Sequence, residues 1–326
     1  MLRMLLIVAI GFGVTTAAHE LLERDVVIVG GGASGSYAAV RLREDYGKRV
    51  ALIEREEILS FIDAGNATGF FDRLSIKRDR GTNPAVNTTY IDFKTGNVVA
   101  YTPPTVPAQL DVLRKFLSIV EPWEQLIQPG YFDFPEPRDI PNDLLIQFGQ
   151  FIAMHSLEGA MPFIYQTTGL GLGNLTNAIT LFALQAFSPS MARSTLGLQG
   201  SVVPASGRNR DLYDAIGRLL GSGVLYSCTV VSATRNDHGV KITTRKSKSG
   251  LHTTIQAKRL LVAIEPTETN TAPFHLDEQE REMLSKFTYT QEYTGIIDNE
   301  ILVANTTYFN LQVATQCRAT KLPLLP

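Results

Sequence analysis

The N-terminal part of the chain alternates between apolar runs and helical spacing. Residues 25–29 form a short apolar run with β-branched side chains, which predicts a buried strand. Residues 36–46 carry apolar side chains at helical spacing, and Gly47 stands where a helix-terminating glycine belongs. Residues 49–54 repeat the buried-strand pattern. This part of the chain therefore predicts a strand, a helix and a second strand in succession.

The middle of the chain changes from turn-rich to helical. Residues 60–105 are rich in Gly, Asn, Asp and Thr, and residues 90–93 and 98–101 predict a hairpin within them. Apolar positions then recur at helical spacing over residues 109–187, and residues 142–155 predict one of the helices. This section predicts a helical lobe inserted into an α/β fold.

Strand patterns return after the helical section. Residues 211–220 predict a short amphipathic helix that ends near Gly221. The segments that follow have strand character and are separated by turn residues: 224–233, 240–245, 253–257 and 259–264. Their succession predicts a β-meander.

Bulk composition narrows the class of protein. Of the 326 residues, 44% are hydrophobic and 19% are charged, which is typical of a globular protein rather than a disordered one. The net charge of −2 gives no electrostatic basis for binding nucleic acid or an anionic membrane surface. No nucleic-acid partner is expected, whereas a small, uncharged substrate is compatible with this balance.

The first eighteen residues have the order of a secretion signal. Arg3 precedes an apolar run over residues 4–14, and small residues at 16–18 offer a cleavage position after Ala18. The run is too short to cross about 30 Å of hydrocarbon, and no later stretch of 18 apolar residues follows. We expect a secretory-pathway protein, secreted or held in an endomembrane lumen, without a stable membrane span after signal removal.

Two more features bear on this compartment. Four sequons are candidate glycosylation sites: Asn66, Asn87, Asn174 and Asn305. The two cysteines, Cys228 and Cys317, allow one disulfide but no disulfide scaffold. Cys228 lies in a strand-like run, so we expect it to be a buried small hydrophobic residue.

A glycine-rich turn joins the first predicted strand to the first predicted helix. Gly30, Gly32 and Gly35 match G-x-G-x-x-G, in which the glycines allow a tight turn, a close approach to a pyrophosphate and close helix packing. The phosphates would lie at the helix N-terminus. Glu54 ends the second strand nineteen residues after Gly35, where a carboxylate can accept hydrogen bonds from ribose hydroxyls. The motif predicts a dinucleotide site; Glu54 disfavours NADP and leaves FAD and NAD open.

Segments spread over most of the chain resemble one family of fungal flavoproteins. The most specific is residues 26–35, and the others follow in order: 144–151, 169–173, 209–213, 259–266 and 287–290. The chain resembles the flavin amine-oxidase-like β-cyclopiazonate dehydrogenase family. This resemblance implies an α/β fold: an N-terminal Rossmann-type FAD-binding fold with an inserted helical substrate lobe and a β-meander, together a two-domain flavoprotein.

The same resemblance suggests how the chain is divided. The expected segments are a signal peptide (1–18), a Rossmann portion (19–105), a helical substrate lobe (106–200) and a β-rich return (201–326). Two features depart from the family. No glycine pair follows Glu54, and the chain ends at residue 326, where the family continues into a segment that covers the flavin. We expect that C-terminal FAD segment to be missing.

By this resemblance the cofactor is FAD. The implied cofactor-binding residues are Gly30, Gly32, Ser34 and Gly35 at the pyrophosphate, Glu54 at the AMP ribose and the Val230 backbone at the adenine. Members act on apolar, polycyclic fungal metabolites such as terpenoids or prenylated alkaloids and pyrones. We therefore expect a dehydrogenase or oxidative cyclase. No catalytic base can be assigned, and the five histidines lack metal-ligand spacing.

Two other functions are compatible with the sequence. One is a flavin amine oxidase acting on small or peptide amines. The other is a non-catalytic secreted protein that keeps the fold, has lost the cofactor and carries a hydrophobic ligand. The substrate, the electron acceptor, covalent attachment of the flavin and the oligomeric state are left open. Trp123, Phe163 and Tyr165 fit either the wall of an apolar pocket or the helical core.

Overall fold

The computed structural model describes residues 20–55, 67–80, 86–127, 134–168, 173–200, 202–289, 295 and 297–311. Its strands are β1 (Glu20–Val29), β2 (Val50–Glu54), β3 (Arg78–Arg80), β4 (Asn87–Asp92), β5 (Asn97–Val98), β6 (Val202–Pro204), β7 (Val224–Tyr226), β8 (Cys228–Asn236), β9 (Gly239–Lys246), β10 (His252–Val262) and β11 (Thr306–Asn310). Its α-helices are α1 (Ala33–Glu44), α2 (Ala67–Arg73), α3 (Val106–Val120), α4 (Glu124–Ile127), α5 (Asn142–Leu145), α6 (Phe148–Met154), α7 (Met161–Thr168), α8 (Thr180–Ala186), α9 (Pro189–Thr195), α10 (Arg210–Leu220), α11 (Glu268–Thr271) and α12 (Glu278–Leu284).

The first of two compact units combines residues 1–61 with residues 208–287. Its sheet has the order β7-β2-β1-β10-β9-β8. β1 pairs in parallel with β2 on one side and with β10 on the other, while β9 and β8 continue the sheet in antiparallel pairs. Val27 and Ile28 of β1 are fully buried, as expected for a parallel strand covered on both faces. The predicted strand–helix–strand unit is thus confirmed.

Helix α1 ends at Glu44, three residues before the glycine that was predicted to follow it directly. Gly47 has a φ of +60°, a left-handed conformation that glycine adopts without a steric penalty. Its N–H donates to the carbonyl of Arg43 at 3.0 Å, and the Lys48 N–H donates to the carbonyl of Leu42 at 2.9 Å. These bonds satisfy carbonyl groups of the last helical turn.

The strand predictions for the later segments need two corrections. Residues 224–233 form two strands, because Ser227 takes a φ of +55° and redirects the chain. β7 then pairs with β2, while β8 pairs with β9. In contrast, residues 253–257 and 259–264 belong largely to the single strand β10, because β10 follows β1 along its length.

The second unit combines residues 62–207 with residues 288–326. One of its sheets has the order β11-β4-β5. β4 and β5 are antiparallel, with Ile91 opposite Val98, which confirms the predicted hairpin. Residues 67–80 and 86–105, assigned from the sequence to the Rossmann portion, lie in this unit, where β4 pairs with β11.

The helices of the second unit share one apolar core. Four aromatic side chains of the described residues are fully buried in this core: Phe116, Phe148, Phe151 and Phe187. Trp123 and Phe163 pack against this core. The predicted helical lobe is therefore present, and it extends from α3 to α9.

The helix predicted over residues 142–155 is interrupted. Ile146 adopts extended backbone angles, and its carbonyl accepts hydrogen bonds from the N–H and the Oγ1 of Thr180, both at 2.9 Å. This pairing replaces helical bonds and separates α5 from α6. Leu145, the last residue of α5, is 48% exposed.

Within the described part of the chain, no helix has both the length and the apolar composition needed to span a bilayer. The signal segment predicted for residues 1–18 lies outside the described residues.

Candidate functional site

The glycine-rich turn leaves the carboxyl end of β1 and packs against the end of β10. Gly30 has a φ of +104°, and its N–H donates to the carbonyl of Ile53 at 2.9 Å. A β-carbon on Gly30 would overlap the carbonyl oxygen of Ala263, and one on Gly35 would overlap the carbonyl oxygen of Gly30. The turn and the close contact with the end of β10 therefore require a glycine at Gly30. The close approach of α1 to β1 requires a glycine at Gly35.

Gly32 and the first turn of α1 face open space. A β-carbon on Gly32 would meet no heavy atom within 4 Å. Gly32 is the N-cap of this 12-residue helix, no described side chain caps it, and its first turn carries no acidic residue. Ser34 is exposed in that turn. Backbone N–H groups and the positive end of the helix dipole therefore offer a site for an anion such as a pyrophosphate.

Glu54 ends β2 beside this turn. Its Oε2 accepts a hydrogen bond from the N–H of Gly31. A β-carbon on Gly31 would lie 2.7 Å from the same oxygen, so glycine at this position allows the close contact. A carboxylate has about four acceptor positions. Glu54 can therefore bind the turn and also accept hydrogen bonds from ribose hydroxyls.

Ser36 holds the turn from inside the helix, a role that the sequence analysis missed. Its Oγ donates to the carbonyl of Gly31 at 2.7 Å, and the side chain is buried. The buried face of α1 otherwise consists of Gly35, Ala39 and Val40. The available signal was a polar residue on an otherwise apolar helix face, four residues after the N-cap glycine.

Strand β8 contributes a further wall. Val230 and Cys228 are both buried, and the pairing of β8 with β9 shifts between Val230 and Ser232. Burial raises the pKa of the Cys228 thiol, which keeps it protonated near neutral pH. Cys228 is therefore the buried small residue expected from the sequence. Cys317 lies outside the described residues.

Together these elements form a cleft of about 600 Å³. Four of the sequence-predicted site residues line it: Gly30, Gly32, Glu54 and Val230. Ser34 and Gly35 lie in the first turn of α1 and are not among the lining residues. The cleft lies at the carboxyl ends of β1, β2 and β10. In the sheet, β2 lies on one side of β1 and β10 lies on the other. Ligands of open α/β sheets bind at such a switch point.

The segment after β10 completes the cleft, and the sequence motif did not identify it. Ala263, Asn270 and Phe274 line it. The Ala263 N–H donates to the carbonyl of Val29 at 2.8 Å, which continues the β1–β10 pairing beyond the strand. The Asn270 Nδ2 donates to the carbonyl of Glu265 at 3.0 Å. This segment has no glycine motif of its own, so only the strand pairing brings it to the site.

The cleft fits a dinucleotide such as FAD. Its volume lies within the roughly 300–1,000 Å³ typical of ligand pockets. The open space at Gly32 and the uncapped N-terminus of α1 suit a pyrophosphate, whereas the Glu54 carboxylate would repel a 2′-phosphate. Among the described residues, no group of three or more His, Cys, Asp and Glu is arranged to hold a metal ion.

The other positions considered from the sequence are one histidine, the four sequon asparagines and the segment 169–173. His155, in the second unit, is paired with Asp143, with 2.8 Å between Nε2 and Oδ2. Of the sequon residues, three are exposed: Asn87, Asn174 and Asn305. Asn66 lies outside the described residues, as do residues 169–172 of the Gly169–Gly173 segment.

Comparison with known families and proteins agrees with this site. Residues 28–69 match the family model of the NAD(P)-binding Rossmann-like domain. The chain is 31% identical to the FAD-dependent oxidoreductase pigF of Monascus ruber, over 94% of this chain and 68% of that protein. It is also 31% identical to β-cyclopiazonate dehydrogenase of Aspergillus oryzae, over 86% of this chain and 64% of that protein. The chain thus spans about two thirds of the length of these relatives.

Solved structures share the fold. Putrescine oxidase is 21% identical with a TM-score of 0.55, and the alignment covers 81% of this chain and 64% of the oxidase. The CLA-producing fatty acid isomerase from P. acnes is 17% identical with a TM-score of 0.60, with the same coverage. These likenesses confirm the Rossmann-type flavoprotein fold. On the strength of the 31% identity to pigF, the chain belongs to the fungal FAD-dependent oxidoreductases that include β-cyclopiazonate dehydrogenase.

Proposed function

We propose that this protein is an FAD-dependent dehydrogenase that oxidises an apolar polycyclic fungal metabolite. The observation that carries the proposal is the cleft at the ends of β1, β2 and β10, where an open helix N-terminus and a carboxylate lie side by side. Bound FAD would supply the hydride acceptor. The chain supplies the binding surface, the orientation of both molecules and the exclusion of water.

The proposal assigns the pyrophosphate to the glycine turn. Gly32 leaves room for the phosphates to approach the backbone, and the first turn of α1 presents its N–H groups. Ser34 belongs to this turn and adds an exposed hydroxyl donor. Gly30 and Gly35 act indirectly, since they allow the turn and α1 to pack closely enough for that geometry.

The proposal assigns the AMP part to the two side walls of the cleft. Glu54 would accept hydrogen bonds from the ribose hydroxyls while it keeps its bond to Gly31. The Val230 backbone would contact the adenine, beside the buried side chains of Cys228 and Phe274. Apolar walls of this kind suit a planar base.

The substrate class is supported by the relatives. The relative from Aspergillus oryzae is named for the dehydrogenation of β-cyclopiazonate. In such an oxidation a positioned C–H bond gives its hydride to the flavin, and the second hydrogen leaves as a proton that solvent can accept, so the proposal assigns no side chain as a base.

Visible absorbance and anaerobic reduction test this function. The purified, signal-free protein should show flavin absorbance after addition of FAD and desalting. Anaerobic mixing with neutral prenylated polycycles, or with the β-cyclopiazonate anion, should bleach the flavin, whereas putrescine and cyclohexylamine should not. Bleaching by the amines alone would favour an amine oxidase. A folded protein that takes up no FAD would contradict the enzyme function and point to a non-catalytic ligand-binding protein.

We also propose that the protein enters the secretory pathway and is glycosylated. Asn87, Asn174 and Asn305 are exposed, as a sugar acceptor must be. The Asn174 Oδ1 accepts hydrogen bonds from the N–H and the Oγ1 of Thr176, which orients the side chain within its sequon. Expression in a fungal host should give a protein that starts after Ala18 and loses mass on enzymatic deglycosylation. An unprocessed, sugar-free product would contradict this localisation.

A further inference from the structure

The second unit contains an apolar cavity separate from the nucleotide cleft. Its volume is about 230 Å³. The sheet contributes Tyr90 and Phe309, the chain after β5 contributes Tyr101, and α7 contributes Met161 and Tyr165. All of these residues belong to the second unit.

Three aromatic rings shape one wall of this cavity. Tyr90 of β4 and Phe309 of β11 are register partners on neighbouring strands, and their ring centroids lie 6.1 Å apart at an angle of 28°. Tyr101 meets Tyr90 edge to face, with centroids 4.9 Å apart and an angle of 86°. The Gln166 Nε2 donates to the Tyr90 hydroxyl at 3.3 Å and so links α7 to the sheet. A further planar ring can extend this arrangement by stacking or edge contact.

The cavity has little capacity to hold a charge. Burial raises the pKa of both Tyr101 and Tyr165, as expected in surroundings of low polarity. Among the described lining residues, only Glu158 has an ionisable carboxylate, and it is exposed to water. An ammonium group in the cavity would therefore lose its hydration and gain only contacts with the aromatic rings, without a buried counter-charge.

We propose that this cavity binds an uncharged bicyclic aromatic ring. An apolar cavity of about 150 Å³ holds benzene, so 230 Å³ matches two fused rings. The inference does not depend on the function proposed above, because all the lining residues named belong to the second unit. The binding of the ring itself needs only the second unit and does not require flavin.

A pair of ligands that share one ring tests both the site and its charge preference. Calorimetric titration of the full mature chain with 3-ethylindole should give measurable binding, and tryptamine, which adds an ammonium group, should bind at least about tenfold more weakly. Visible absorbance of the same sample records its flavin content. Ring binding without FAD uptake would support this inference while contradicting the cofactor proposal, so the two failures are distinguishable.

Substitutions of residues that line the cavity test whether 3-ethylindole binds there. Tyr101→Ala removes the edge-to-face ring and should weaken 3-ethylindole binding about tenfold, whereas Tyr101→Phe keeps the ring and should bind as the wild type does. Phe93→Ala is the matched control, because Phe93 is an aromatic residue of the same unit that is exposed in the β4–β5 turn. If Tyr101→Ala does not fold, a second variant takes its place. Gln166 is an exposed residue of α7 that lines the cavity, and Gln166→Trp should reduce binding because the larger side chain narrows the cavity.

Three results would overturn the inference. The first is a wild-type protein that does not bind 3-ethylindole. The second is tryptamine binding as tight as that of 3-ethylindole or tighter. The third is unchanged affinity in a folded Tyr101→Ala variant, or in Gln166→Trp where Tyr101→Ala does not fold.

Discussion

Glu54 accepts a hydrogen bond from the backbone N–H of Gly31, so the residue expected at the ribose also holds the turn expected at the pyrophosphate. The hydroxyl of Ser36 donates a hydrogen bond to the carbonyl of the same glycine. Both polar groups of Gly31 are therefore fixed by side chains, one from β2 and one from α1. A turn held in this way loses little conformational freedom when the cofactor binds.

Removal of the Glu54 charge should weaken FAD binding while the turn stays in place. In Glu54→Gln the amide oxygen can still accept from Gly31, but the hydrogen bonds to the ribose are no longer charge-assisted. We expect a loss of about 1 kcal/mol, or about fivefold in Kd, measured by calorimetric titration of the FAD-free protein. Glu44→Gln, an exposed change in α1, is the control. An unchanged Kd in Glu54→Gln would place the ribose elsewhere.

A methyl group at Gly35 should destabilise the first unit. Its β-carbon would overlap the Gly30 carbonyl oxygen, so α1 must move away from β1. We expect Gly35→Ala to lower the free energy of unfolding by about 1–3 kcal/mol, as overpacking does, measured by denaturant unfolding. Gly69→Ala is matched to it, since Gly69 is also the third residue of a helix but has open space at its β-carbon. Equal stability of the two variants would contradict the close approach.

The pair between Arg235 of β8 and Glu280 of α12 should make stability depend on acid pH. Both Arg235–Glu280 hydrogen bonds measure 2.7 Å, and the hydrogen bond from Arg235 lowers the pKa of Glu280 from 4.5 to about 2. Because the pKa is lower in the folded state, the pair stabilises the protein above pH 4.5, and this stabilisation is lost as the pH falls toward 2.

Glu280→Gln tests this dependence, because the amide oxygen can still accept from the Asp277 N–H in the capping box. The difference in Tm between wild type and Glu280→Gln should shrink as the pH falls through that range. Glu278→Gln removes a charge from the same helical turn and is the control. A Tm difference that is constant with pH would show that Glu280 titrates at its ordinary value.

The sequence predicted the local features of the site well. Gly30, Gly35 and Gly47 were identified because each meets a steric requirement of the backbone at its own position. Glu54 was identified because its distance along the chain from the glycines is characteristic. The buried role of Cys228 also followed from its strand-like surroundings.

Features that depend on distant partners could not be predicted. The break at Ile146 exists because Thr180, far along the chain, provides a better partner than the next helical turn. The position of β4 depends on pairing with β11, which is separated from it by more than half of the chain. Ser36 was missed because a lone serine in a helix acquires its role only when the turn folds back onto it.

Cys228 should report on occupancy of the cleft. Its burial raises the pKa of the thiol, so a thiol reagent should react slowly at neutral pH and faster in urea. Because Cys228 lines the cleft, added FAD should slow the reaction of the folded protein further. The measurement uses a Cys317→Ser background, in which Cys228 is the remaining cysteine of the sequence. Equal rates with and without FAD would mean that FAD does not cover this wall.

The affinity of FAD for a Gly32→Val variant tests the central claim most directly. A β-carbon at Gly32 meets no heavy atom within 4 Å, so we expect the fold to tolerate a side chain there, but the side chain would occupy the space assigned to the pyrophosphate. We expect the wild type and Gly200→Val, another glycine with open space at its β-carbon, to bind FAD equally. Gly32→Val should bind at least about tenfold more weakly, since charged hydrogen bonds of about 1.5–3 kcal/mol are lost, with an unfolding midpoint close to that of the wild type. Wild-type affinity in a folded Gly32→Val protein would contradict the assignment of this cleft to FAD.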